Sequence, residues 1–88
     1  MKRNPEFLLR DVADTLVLVP VGKAAADFAG MITLNATGAF LWECLETEQT
    51  LESLVQALTD RYEVGAEQAT EDVKAVVDAL ASAGAVLK

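Results

Sequence analysis

Residues 30–43, with the sequence GMITLNATGAFLWE, constrain the fold most, because they join a strand to a helix. Met31–Leu34 are short, apolar and partly β-branched, which is typical of a strand. Asn35 follows, and its side-chain oxygen can accept a hydrogen bond from the free amides of a new helix. The next apolar residues recur one turn apart and predict a helix with a buried stripe, formed by Phe40, Leu41, Cys44 and Leu45 with Trp42 beside it. We therefore predict an α+β chain in which a sheet precedes the helices.

Composition and charge narrow the class of protein. The 88 residues are 52% hydrophobic, which predicts one folded domain over residues 1–88 and leaves apolar surface for a partner. Seven basic and fourteen acidic residues give a net charge of −7. Nucleic-acid-binding domains normally carry the opposite balance, because phosphate neutralisation supplies much of their affinity. We therefore expect no nucleic-acid partner.

The first half of the chain predicts a three-stranded antiparallel meander. Residues Met1–Glu6 are polar and contain a proline, so we expect a loose arm there. The predicted strands are Phe7–Val12, Thr15–Val21 and Phe28–Leu34, and a small-residue loop, Gly22–Asp27, precedes the last one. The middle strand is apolar on both faces, so we place it at the centre of the sheet.

Three helices are predicted after the sheet. The first covers Ala36–Leu45, and Gly38 in its opening turn indicates a close packing approach. Thr50 caps the second helix, whose apolar stripe is Leu51, Leu54, Val55, Leu58 and Tyr62. The third covers Ala66–Gly84, and its core stripe is Ala69, Val73, Val76, Val77 and Leu80.

A flank of mostly small residues lies beside the core stripe of the third helix. Its members are Gln68, Asp72, Ala75, Ala79 and Ser82. The flank is either a close-packed helix contact or one wall of a groove floored by the neighbouring strand edge. The pattern by itself favours the close contact. The closing residues 85–87 form either a short strand or a tail packed on the core.

Residues that carry catalysis are scarce in this sequence. It has no histidine and no glycine-rich phosphate loop, and most of its carboxylates fall on the solvent faces of helices. Its one cysteine, Cys44, lies on an apolar helix face, where a core role is simpler than a reactive thiol. We therefore expect no enzymatic activity, no metal and no cofactor. No apolar run approaches a membrane span, so we expect a cytoplasmic protein.

The third predicted strand ends the sheet and carries few charges that would protect its edge. An unprotected edge is a hydrogen-bonding template that can capture an extended peptide. Two other occupants remain open at this point, namely the chain's own tail and a second copy of the chain.

The pattern Leu-Asn-x-Thr-Gly-Ala-x-x-Trp, over residues 34–42, resembles that of PqqD-like proteins, named for pyrroloquinoline-quinone biosynthesis protein D. The resemblance continues through most of the chain, from Phe7 to Leu87. Its other matching segments are residues 17–22, 50–55, 61–64 and 80–86. The core pattern is fairly specific, whereas the leucine and valine repeats of the helices are not.

This resemblance implies a winged-helix-like fold and a peptide-recognition role in the biosynthesis of ribosomally made, modified peptides. Such proteins bind a precursor's leader segment by strand addition and deliver it to a modifying enzyme, often a radical S-adenosylmethionine enzyme. The groove interpretation of the small flank therefore overtakes the close contact. By position, the resemblance implies these peptide-binding residues: Gly30, Met31, Ile32, Thr33, Asp72, Ala75, Val76 and Ala79.

Two alternatives stand beside this interpretation. A winged-helix transcription regulator would need a basic recognition helix, whereas the third helix offers Lys74 against Glu67, Glu71, Asp72 and Asp78. A structural homodimer would bury apolar sheet surface between copies, contributed by Val17 and Val19 or by Leu16 and Leu18. A homodimer is compatible with peptide binding as well.

Overall fold

The computed structural model describes residues 1–27 and 30–87, and it has a three-stranded antiparallel sheet followed by helices. The predicted α+β class is therefore confirmed. In chain order the elements are β1 (Lys2–Arg3), β2 (Phe7–Val12), β3 (Thr15–Pro20), α1 (Lys23–Asp27), β4 (Ile32–Leu34), α2 (Ala36–Cys44), α3 (Leu51–Arg61), α4 (Ala66–Ser82) and β5 (Val86–Leu87).

The sheet has β3 at its centre, as predicted, with β2 and β4 on either side. A two-residue turn joins β2 to β3, and both of its residues, Ala13 and Asp14, have positive φ angles of 52° and 67°. Such turns match the twist of the strands that they connect. Pro20 ends β3, because proline cannot donate to a strand ladder.

Two predictions about the loop and the third strand need correction. Within the predicted loop 22–27, residues Lys23–Asp27 form the short helix α1, which lies against β3 and buries Ala24. Within the predicted strand Phe28–Leu34, residues Ile32–Leu34 pair with β3, whereas Gly30 and Met31 precede β4. Phe28 and Ala29 lie outside the described residues.

The loose arm predicted for residues 1–6 is also wrong. Lys2 and Arg3 form β1, which pairs with the C-terminal strand β5. The Arg3 amide donates to the Leu45 carbonyl at 2.9 Å, and its guanidinium lies 5.6 Å from the centre of the Trp42 ring. These contacts join the start of the chain to its end and to the end of α2.

Helices α2 and α3 begin at the predicted caps, Asn35 and Thr50. Asn35 Oδ1 accepts from the Gly38 amide at 2.8 Å, and Thr50 forms a reciprocal capping box with Ser53. The apolar faces of α2, α3 and α4 and the inner face of the sheet form one core. Its largest fully buried side chains are Leu18, Leu41, Trp42, Leu45, Leu54, Leu58, Val73 and Leu80. Phe40, predicted in the core, is only half-buried and packs edge-on against Tyr62, with ring centres 6.0 Å apart.

Candidate functional site

A cleft of about 240 Å³ lies between β4 and α4. β4 and the start of α2 form one wall, and the C-terminal half of α4 forms the other. The lining residues are Ile32, Thr33, Leu34, Asn35, Gly38, Ala75, Val76, Ala79 and Leu80. The cleft therefore lies where β4 passes into α2 through the single residue Asn35.

The sequence builds the first wall through Asn35 and Gly38. The cap at Asn35 starts α2 directly after β4, so the strand cannot extend further. A Cβ atom at Gly38 would lie 3.3 Å from Leu34 Cδ2 and 3.3 Å from Asn35 Oδ1. Glycine therefore allows the first turn of α2 to approach the end of β4 closely, as predicted.

The second wall is the small flank of α4. Ala75 and Ala79 lie one turn apart and are exposed, while Val76 is half-buried and Leu80 is buried behind them. In a close-packed helix contact these alanines would be covered by a neighbouring element. The structure therefore favours the groove interpretation over the close contact.

The cleft brings together Ile32 and Thr33 from β4 with Ala75, Val76 and Ala79 from α4, all of which the resemblance implies as binding residues. The remaining three implied residues do not line it. Gly30 and Met31 come just before β4, and the Met31 side chain is 64% exposed. Asp72 lies one turn earlier in α4, where its carboxylate accepts from Gln68 Nε2 at 2.9 Å.

Four lining residues were not among the implied binding residues, namely Leu34, Asn35, Gly38 and Leu80. Asn35 and Gly38 were predicted to have structural roles, the first as a helix cap and the second as a site of close packing. The alternation of a strand could have identified Leu34, because it shares a face with Ile32. Likewise, Leu80 lies one turn beyond Val76 in α4.

The outer edge of β4 is unpaired by any strand that the structure describes. β4 pairs with β3 on one side, and the C-terminal strand β5 pairs with β1 elsewhere. Within residues 1–27 and 30–87, the tail therefore does not occupy this edge. An unpaired edge presents a row of backbone donors and acceptors to an incoming chain.

A larger cavity, of about 750 Å³, lies beside the opposite edge of the sheet, between β1, β2 and the end of α2. Its lining includes Lys2, Arg3, Leu8, Trp42 and Glu43. The neighbouring strand β2 carries two exposed charged residues in its FLLRDV sequence, and charges on an edge strand oppose pairing with another chain. Size alone therefore does not identify the binding site, and the β4 edge is the better template.

Groups suited to catalysis are few in the described part of the chain. No polar or charged side chain is buried there, and no group of three or more His, Cys, Asp or Glu residues is placed to hold a metal. Burial, reinforced by the nearby Glu43 charge, raises the pKa of the Cys44 thiol. At neutral pH its reactive thiolate is therefore scarcer than that of an ordinary cysteine.

The helices of residues 1–27 and 30–87 include none that is long and apolar enough to cross a membrane.

Comparisons with known proteins find a matching family model and similar solved structures. The family model of coenzyme PQQ synthesis protein D (PqqD) matches residues 15–86. The structure of "TbiB1 in Complex with the TbiA(beta) Leader Peptide" is 24% identical, with a TM-score of 0.74 over 97% of this chain and 93% of that one. "Lasso peptide synthetase B1 complexed with the leader peptide" is 25% identical, with a TM-score of 0.74 over 99% and 96%. A search of curated proteins finds no match.

Proposed function

The chain belongs to the PqqD family, and on that basis we propose that it binds the leader segment of a ribosomally made precursor peptide. In this proposal the protein is a non-enzymatic peptide chaperone. The leader adds as a strand to the outer edge of β4 and lies against α4. The protein then presents the precursor to a separate modifying enzyme.

One observation carries the proposal, which is the unpaired edge of β4 beside a cleft walled by small residues. Strand addition uses backbone hydrogen bonds for affinity and pockets for alternate side chains for specificity. Both features meet in this cleft, since Thr33 belongs to the open strand and Ala75 and Ala79 leave space above α4. The lasso peptide synthetase B1 neighbour, which has the same fold, was solved with a leader peptide.

The energetics of strand addition predict what the leader must contain. Ordering a flexible segment costs about 1–2 kcal/mol per residue. A backbone hydrogen bond contributes a net stabilisation of only about 0.5–1.5 kcal/mol. Backbone pairing alone therefore cannot hold the leader. Apolar leader side chains, which contribute about 25 cal/mol per Å² buried, must supply the difference. We expect an aliphatic or aromatic anchor in the leader.

The binding site in this proposal is larger than the cleft. Ile32, Thr33, Ala75, Val76 and Ala79 contact the leader's central part. Gly30 and Met31 extend the same edge, and Asp72 extends the same face of α4. The modifying enzyme is a separate protein, and the family resemblance implies that such partners are often radical S-adenosylmethionine enzymes.

No specific observation supports either alternative, the winged-helix regulator or the structural homodimer. The solvent face of α4 carries Glu67, Glu71 and Asp78, so it repels the phosphates that a winged-helix regulator must bind. For a homodimer, Val17 and Leu18 are only 5% and 0% exposed within one copy, so a second copy has little of either to cover.

The test is calorimetric titration with overlapping synthetic peptides of about fifteen residues, taken from short peptides encoded beside this protein's gene. The decisive variant is Ala79→Phe, which places a ring in the cleft. Ala66→Phe is the matched control, because Ala66 is also an exposed alanine of α4 but does not line the cleft. We expect Ala79→Phe to weaken binding at least about tenfold, a loss of about 1.4 kcal/mol, and Ala66→Phe to leave it unchanged.

A third variant separates the two sides of the sheet. Leu8→Glu places a charge in the larger cavity without touching the β4 cleft. If Leu8→Glu abolishes binding and Ala79→Phe does not, the leader binds at the larger cavity beside β2, and the β4 edge is not the site. If none of the peptides binds the unmodified protein, the leader-binding function itself is rejected.

A further inference from the structure

The register of the sheet determines which backbone groups of β4 face outward. In antiparallel strands, residue pairs that exchange hydrogen bonds alternate with pairs that do not. The two-residue turn makes its flanking pair, Val12 and Thr15, a hydrogen-bonded pair. The Val21 amide donates to the Glu6 carbonyl at 2.7 Å, which gives the same alternation at the far end of the hairpin.

This alternation carries across β3 to β4. The odd-numbered residues of β3 direct their backbone groups to β2, so Leu16 and Leu18 direct theirs to β4. Their partners Leu34 and Ile32 therefore bond to β3. Thr33 lies between them, opposite Val17, and its N–H and C=O point to the open edge.

From this geometry we propose that the leader pairs with the backbone of Thr33. The leader residue opposite Thr33 can be of any type, and the residues immediately before and after it are apolar. The inference rests on the proposed leader-binding function and assigns its register. Thr33 is then the residue of β4 that offers both a donor and an acceptor to the leader. Its side chain takes no part in the pairing.

The pattern of leader side chains follows from strand alternation. Residues paired across a sheet project to the same face, and their chain neighbours project to the other face. Thr33 is exposed on the outer face, whereas Leu34 is buried and Ile32 half-buried on the inner one. The leader residue opposite Thr33 therefore faces solvent. The residues immediately before and after it face the cleft, against Ala75, Val76 and Ala79.

Thr33→Pro tests the backbone pairing directly. Proline removes one N–H, and at an outward-facing position of an edge strand it breaks no bond to β3. Using the tightest-binding synthetic peptide from the titrations above, we expect affinity to fall about fivefold to tenfold, the effect of one lost hydrogen bond. Thr33→Val is the companion variant, because it retains the amide, so we expect its affinity to fall by less than that of Thr33→Pro.

A second measurement uses the unmodified protein, so it holds even if Thr33→Pro does not fold. Each residue of the peptide is N-methylated in turn, and separately replaced by alanine. We expect N-methylation to weaken binding with a period of two residues. Alanine should weaken binding most at two apolar positions separated by one tolerant residue.

The outcomes separate this inference from the proposed function. If N-methylation has no periodic effect, or Thr33→Pro binds like the unmodified protein while Ala79→Phe does not, the leader occupies the cleft without pairing at Thr33. That result overturns the register and leaves leader binding intact. If no peptide binds the unmodified protein, both fall together.

Discussion

Asn35 is the residue at which the sheet ends and the helical half begins. Its backbone is extended, with φ −85° and ψ 179°, and its side chain accepts from the Gly38 amide. The Asn35 carbonyl meanwhile accepts from the Ala39 amide at 3.0 Å. One residue therefore serves both as the last extended position and as the first helical acceptor. Because it lines the cleft, its cap also positions the proposed leader site.

Replacing Asn35 with alanine should lower the free energy of unfolding by about 1 kcal/mol, because an N-terminal amide of α2 loses its partner. Asn35→Asp should retain most of the stability, since its carboxylate caps equally well and lies favourably at a helix N-terminus. Urea denaturation followed by circular dichroism measures both. Equal stability of the alanine variant and the original protein would show that the cap does not stabilise this fold.

Gly38 is a residue whose packing constraint was predictable from the sequence, although its neighbours were not. A glycine in the first turn of a helix costs helix propensity, and this predicted a close approach without naming the neighbour. The structure identifies the neighbours as the Leu34 and Asn35 side chains. The sequence could predict the spatial constraint, but the identity of the contact depends on how β4 and α2 fold against each other.

At the scale of elements, the sequence predicted those whose side chains alternate or recur regularly. β3 is apolar on both faces, and α3 and α4 carry stripes with helical spacing, so all three were predicted close to their observed bounds. The two walls of the cleft were predictable for the same reason, since one is a helix flank and the other a strand edge. The pattern alone favoured a close contact at the flank, and only the family resemblance favoured a groove.

The elements that sequence analysis missed are held by contacts between distant parts of the chain. β1 is two polar residues long and has no strand pattern of its own. It forms because β5 pairs with it and because Arg3 lies over the Trp42 ring. α1 has five residues, too few for a stable isolated helix, and it persists because Ala24 is buried against the core.

Deleting residues 1–3 should therefore destabilise the protein, although they appear in the sequence as a polar arm. The deletion removes the pairing of β1 with β5, the Arg3 bond to Leu45 and the Gln49 bond to the Met1 carbonyl. At about 0.5–1.5 kcal/mol for each backbone bond, we expect a loss of about 2–4 kcal/mol.

Thermal and urea denaturation of the truncated chain would measure this loss. Arg3→Ala in the full-length chain is the companion variant, because it retains the backbone bonds and removes only the guanidinium's two contacts with Trp42, one over the ring and one to its carbonyl at 3.4 Å. It should cost about 0.5–1 kcal/mol. Unchanged stability after the deletion would mean that the arm is loose in solution, as the sequence suggested.

At the scale of the whole molecule, the charge argues against one class of partner and the cleft favours another. The chain carries a net charge of −7, yet none of the residues that line the β4–α4 cleft is charged. An acidic surface repels nucleic acid, whereas an uncharged cleft with an open strand edge accepts an extended peptide through backbone bonds and apolar contacts. In the proposed function, the surface charge therefore limits the choice of partner, and the cleft supplies the affinity.

Salt dependence distinguishes these two sources of binding energy. If apolar burial and backbone pairing hold the leader, raising sodium chloride from about 50 to about 500 mM should change its dissociation constant by less than about threefold, because salt screens mainly exposed charges. Calorimetry at several temperatures should also show a negative heat-capacity change, the mark of apolar burial. A nucleic-acid ligand would instead lose affinity by orders of magnitude over this range. A loss of that size for the leader would mean that surface charges provide the binding energy and that the apolar cleft is not the site.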